Sequence, residues 1–185
     1  MVFPFGRRRP SPGRVLLDRL HADIVGAVRQ PEFYLAYGVP DTFEGRFEML
    51  ALQAGLVLRR FNAAAPPGPD VAQDLVDTIF AHLDADLREA GVGDITVPKR
   101  MKRLCEAFLG RSAAYDAALK QGHAALVDAL ARNVYGGQAP GSGAVRLAGY
   151  VEATDAALDA VPLEGCLAAP LPFPDPRSIP LRTAP

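Results

Sequence analysis

The chain reads as all-α, a single-domain helical bundle of about six helices. Three observations predict it. Apolar residues recur at three- and four-residue spacing through nearly every segment. Proline, glycine and capping residues punctuate those segments at helix-like intervals. No strand pattern competes, because the β-branched run Ile95-Thr96-Val97 is only three residues long.

Ser11 followed by Pro12 signals the N-cap and first position of a first helix. Val15, Leu16, Leu20, Ile24 and Val28 follow at helical spacing, and Pro31 ends the run because the residue before a proline leaves the helical region. A short helical turn is expected across Phe33 to Tyr37. Asp41 with Glu44 reads as a capping box for a second helix reaching about Asn62. Phe43, Phe47, Leu50, Ala54, Leu58 and Phe61 line its inner face. After a Pro/Gly loop over 63–69, Asp70 caps a third helix that turns Val71, Leu75, Ile79, Leu83 and Leu87 inward and stops at Gly91. Thr96, Val97 and Pro98 start a fourth helix through about Leu109. Gly110-Arg111-Ser112 opens a fifth, to about Val134, which Gly122 kinks or divides. A Gly-rich loop over 136–143 precedes a sixth, from about Ala144 to Ala160. The organisation expected is a flexible N-terminus over 1–10, an all-helical domain over 11–160 and an extended, Pro-rich tail over 161–185, which holds seven prolines.

Composition narrows the function. With 49% apolar residues in 185, the chain can build one sizeable core. Twenty basic against 21 acidic residues leave a net charge of −1, which argues against a dedicated DNA binder. The Arg/Pro-rich start has no apolar core of a secretory signal, and no apolar run approaches the ~20 residues needed to span a bilayer. A cytoplasmic protein is expected, with any membrane contact peripheral, at the inner face of the cytoplasmic membrane. Cys105 and Cys166 have neither metal-binding nor redox spacing.

No catalytic constellation emerges. His21, His82 and His123 fall on three different helices, and Asp18-x-x-His21 and His82 with Asp86 read as pairs on a helix surface. The aspartates of the third helix do not cluster on one face, and no strained nucleophile turn or phosphate loop is present. No cofactor or metal is expected. Two surface features remain. The fourth helix turns Met101, Leu104, Cys105 and Phe108 one way and Lys99, Lys102, Arg103 and Glu106 the other, with Arg100 at the border. Tyr34 and Tyr37 sit on a helix break where their hydroxyls are expected to reach water, as tyrosines at protein interfaces do.

The run from Phe33-Tyr34 through Tyr37-Gly38-Val39-Pro40-Asp41-Thr42-Phe43-Glu44-Gly45-Arg46-Phe47-Glu48 resembles the ubiquinol–cytochrome c reductase chaperone family. So do Asp84-Ala85-Asp86-Leu87-Arg88-Glu89-Ala90-Gly91-Val92-Gly93-Asp94 and Val97-Pro98-Lys99-Arg100-Met101-Lys102 with Glu106-Ala107-Phe108, Gly110-Arg111 and Tyr115. The resemblance spans roughly residues 15–135. It implies a non-catalytic, all-α assembly factor that binds newly made cytochrome b and helps build respiratory complex III. Mitochondrial members work with a small partner protein near the translating ribosome. This chain resembles the shorter bacterial members, without a targeting segment or membrane helix. Within the matched blocks, Tyr34, Tyr37, Arg46, Lys99, Arg100, Lys102, Arg103 and Arg111 are the residues expected to meet the client. The alternative reading is a helical module that binds a ribosome or nucleic acid through the basic helix at 98–109.

Overall fold

The computed structural model describes residues 11–137 and 141–180. The expected flexible N-terminus over 1–10, residues 138–140 of the expected Gly-rich loop and residues 181–185 of the expected tail lie outside the described residues. Helices α1 (Pro12–Val28), α2 (Pro31–Leu35), α3 (Phe43–Asn62), α4 (Gly68–Glu89), α5 (Val97–Gln121), α6 (His123–Asn133), α7 (Ser142–Asp159) and α8 (Leu163–Ala168) follow in order, with a final 3-10 turn at Pro176–Ser178. No strand occurs among the described residues. Six of these helices are long and two are one or two turns, so the all-helical reading holds.

The local start signals act as the sequence implies, with two shifts. Ser11 caps α1 by accepting from the Arg14 N–H at 3.3 Å. At α3 the cap is Thr42, whose hydroxyl accepts from the Gly45 N–H at 3.1 Å, while Asp41 turns aside to Arg46. Gly45 is obligatory there, because a Cβ would run into the carbonyl of Pro40. At α4 the helix begins one turn early, so Asp70 lies in its first turn rather than at its cap. Gly110-Arg111-Ser112 does not open a new helix. Instead α5 runs unbroken to Gln121, and Gly122 makes the break with a φ of 105° that a side chain rarely adopts.

The centre of the bundle is α3. Residues 49–54 are all buried, so this helix is covered all round rather than along one stripe. It packs against α1, α4, α5 and α7. Phe47, Leu50, Ala54, Leu58 and Phe61 are buried as expected, but Phe43 is half exposed. It stands in the first turn of α3, where the surrounding helices do not close over it.

The expectation of an extended tail is corrected at α8, and the segment from there through Ile179 packs on the bundle. Leu163, Cys166, Leu171 and Pro176 are buried against the bundle. The Arg19 guanidinium on α1 donates to the carbonyls of Cys166 at 3.0 Å, Leu167 at 3.0 Å and Ala169 at 2.6 Å, satisfying groups that the end of α8 leaves open. Asp23 accepts from the Leu171 N–H at 3.1 Å. Proline content predicted the lack of long helix here, but not the apolar anchors and the arginine that hold the segment down.

Candidate functional site

One end of the bundle gathers most of the residues singled out by the sequence. The Tyr34 hydroxyl donates to the Val28 carbonyl at 2.8 Å, and the Arg46 guanidinium lies 5.0 Å over the Tyr34 ring. The end of α1, all of α2 and the start of α3 therefore meet. Phe43 and Glu44 share a depression of about 320 Å³ with Leu87, Arg100, Arg103 and Leu104, which adds the end of α4 and the start of α5. Arg46 is exposed and paired with Asp41 at 2.7 Å. Burial pushes the Tyr34 hydroxyl above its ordinary range, with Arg46 pulling the other way.

The first two turns of α5 carry the densest charge at this end. Lys99, Arg100, Lys102 and Arg103 are exposed. Lys102 reaches Glu106 at 3.9 Å, whereas Lys99, Arg100 and Arg103 have no carboxylate partner among the described residues. The first turn holds no acidic residue, and no side chain caps the helix. Cations near a helix N-terminus oppose the macrodipole. Such a local conflict marks a sequence chosen for something other than folding.

A second feature was not visible in the sequence. A groove of about 1120 Å³ opens between α3, α4 and α5. Phe80 and Phe108 meet edge to face at 5.4 Å in its wall, and Leu58, Val76, Met101, Cys105 and Leu109 continue the apolar lining. Gly55 brings α3 close to Ser112, whose buried hydroxyl has no hydrogen-bond partner among the described residues. The far end is ionic. Arg59 joins Asp116 at 3.0 Å and Asp155 at 2.5 Å, and Lys120 also holds Asp116, at 2.6 Å. The hydrogen bond from Lys120, helped by Arg59, keeps the Asp116 carboxyl below the usual range, while burial raises that of Asp155. These charges are already spent on one another. The groove thus offers apolar surface and shape, with paired charges at its far end. Its only sequence trace is that the apolar face of α5 is longer than the bundle covers. Of Met101, Leu104, Cys105 and Phe108, only Phe108 is fully buried.

One of the expected contact residues belongs to the interior, and another is half-buried in a bridge between two helices. Tyr37 is 1% exposed, so its hydroxyl does not reach water and donates instead to the Pro176 carbonyl at 2.7 Å. Its ring packs edge to face on Phe33 and lies under the Arg146 guanidinium at 4.3 Å. Arg111 forks onto Glu48 with bonds of 2.8 and 2.9 Å, tying α5 to α3. The histidines also find partners across helices rather than along them. His21 stacks on His82 at 4.1 Å, with His82 Nε2 3.9 Å from Asp18, and His123 Nδ1 lies 2.9 Å from Glu152. Among the described residues no group of three or more His, Cys, Asp or Glu is placed to hold a metal ion. Among them, too, no helix is long and apolar enough to cross a membrane.

Residues 35–173 match the sequence pattern described as ubiquinol-cytochrome C chaperone, a span that includes α3 through α8. The chain is also similar to a solved structure, the Cbp3 homolog from Brucella abortus. The TM-score is 0.81 and the identity 36%, over 91% of this chain and 93% of that one. No curated protein matches it.

Proposed function

The chain belongs to the ubiquinol–cytochrome c chaperone family, and from that premise we propose that it binds newly made cytochrome b in the groove between α3, α4 and α5. As a member of that family it is an assembly chaperone of complex III. Its part is to hold the client without catalysis until the ubiquinol–cytochrome c reductase complex forms.

The groove carries this reading. At about 1120 Å³ it exceeds the roughly 300–1,000 Å³ of ordinary small-ligand pockets. It suits an apolar helical segment laid into a hydrophobic trough. Leu109 stands 58% exposed on its lip, where an unoccupied surface would favour a polar residue. Lys102 lines the same rim. The basic run from Lys99 to Arg103 therefore continues from the groove, beside any charged loop flanking the bound segment. Tyr34 and Arg46 extend that surface, whereas Tyr37 supports it from inside and Arg111 ties α5 to α3.

Cytochrome b co-purification tests the reading. Leu109→Asp and Met101→Asp should each cut recovery about tenfold, from the cost of facing apolar surface with a charge. Helical content should be unchanged, since neither side chain is in the core. Undiminished recovery from both variants would remove the groove from the account. The basic helix, with three cations unpaired, also supports the ribosome- or nucleic-acid-binding reading. That binding would weaken steeply with added salt, whereas retention in an apolar groove would not.

A further inference from the structure

We propose that the end of the bundle formed by the 90–96 turn and the first turns of α5 docks on an anionic lipid bilayer, with Ile95 entering the headgroup layer. This goes beyond holding a client, because it places the protein on the surface where a membrane cytochrome is made.

The turn is built to display one apolar side chain. Val97 is fully buried and Ile95, two residues before it, is 96% exposed. The turn between them is closed, with the Thr96 and Val97 N–H groups both donating to the Gly93 carbonyl, at 2.8 and 3.2 Å. Gly91 supplies the positive φ that leaves α4, and Arg88 ties the turn back through Asp94 at 2.6 Å and Asp84 at 2.7 Å. Ile95 is thus held out by a braced loop rather than left over from poor packing.

Its surroundings fit an anionic lipid surface. Five large apolar side chains are exposed among the described residues, and three of them, Leu35, Phe43 and Ile95, lie at this end. Lys99, Arg100 and Arg103 stand beside them without carboxylate partners among the described residues, with Lys102 close by. The chain as a whole carries a net charge of −1, so this concentration of positive charge is local. An apolar tip with cations on its α5 side, and its own Asp94 neutralised by Arg88, fits a peripheral membrane anchor, in which charge attracts and the tip inserts. RNA or an acidic peptide would use the cations but give Ile95 no apolar phase to enter.

The chain has no tryptophan, so Ile95→Trp creates a single reporter at the tip. The full chain is mixed with vesicles of phosphatidylcholine, alone or with phosphatidylglycerol, and flotation and tryptophan emission are read together. The expected result is flotation with the anionic vesicles only, with a blue shift of the indole emission. Ile95→Ser should weaken flotation about tenfold, as loss of a buried aliphatic side chain predicts. Removing Lys99, Arg100 and Arg103 together should abolish it, at roughly fivefold per cation. Failure to float, equal flotation on neutral vesicles, or flotation without a blue shift would each overturn the proposal. So would RNA binding by the same residues in place of vesicle binding. None of these results bears on client recovery through Leu109, so the two readings fail separately.

Discussion

The first half of α5 carries five charged residues and the second half three, and the two treat their cations in opposite ways. In the second half, Arg111 is forked onto Glu48, and Asp116 is shared between Arg59 and Lys120. In the first half, Lys99, Arg100 and Arg103 face solvent without carboxylate partners among the described residues, at the helix end where positive charge is least favoured. Sequence treats Arg100, Arg103 and Arg111 alike, as basic residues in matched blocks. Geometry separates them. A cation that satisfies a half-buried carboxylate holds helices together, and one left free beside exposed apolar side chains is available to a partner.

The sharpest way to break this comparison is to remove cations from each half, and from the α3 partner of the second half, and measure stability. Arg59→Met strips the bridge between Asp116 and Asp155 and leaves Asp155 part-buried without its partner. It should cost about 3 kcal/mol in urea denaturation. Arg111→Met should cost about 2 kcal/mol for the same reason, since the Glu48 side chain is only 12% exposed. Arg100→Met with Arg103→Met should leave the midpoint unchanged. A loss from that pair equal to the loss from Arg111 would erase the distinction.

A smaller effect sharpens the assignment of Tyr37. Tyr37→Phe keeps the ring under Arg146 and removes only the bond to the Pro176 carbonyl. A loss of about 1 kcal/mol is expected, with faster proteolysis of the segment after α8. If Tyr37 were instead a surface contact, the variant would keep its stability and lose client.

The smallest effect is the pH response of the α1–α4 seam. Burial and the neighbouring His82 hold His21 below its ordinary value, while Asp86 and Asp18 pull it up and Arg29 adds to the lowering. A histidine whose folded value is depressed contributes stability above its unfolded value of about 6.5 and loses it as pH falls through the folded one. Stability should therefore decline slightly as pH falls below about 6.5, and His82→Asn should flatten that decline. An unchanged slope in that variant would remove the stacked pair from the explanation.

The legible parts of the molecule are those encoded within a turn or two of chain. Ser11 by its side-chain cap and Pro12, Pro31 and Gly122 by backbone geometry set helix ends locally, and the apolar spacing of α4 needs no partner to be read. The illegible parts depend on what arrives from far away. The partner of Tyr37 is Pro176, and the carbonyls that Arg19 satisfies lie on the segment around α8. Nothing near Phe43 announces that the bundle stops short of covering it. The groove exists because α3, α4 and α5 leave space between them, and the overlong apolar face of α5 hints at it without giving its shape. Of the eight expected contact residues, Arg46, Lys99, Arg100, Lys102 and Arg103 are exposed, Tyr34 and Arg111 are half-buried and Tyr37 is buried; the partners of Arg111 and Tyr37 lie more than sixty residues away.

In-cell photo-crosslinking from Leu109 tests the central claim most directly, with Gly26 on the exposed side of α1 as the comparison position. The account predicts capture of cytochrome b from Leu109 and none from Gly26. Absence of cytochrome b at Leu109, or equal capture from both positions, would contradict it.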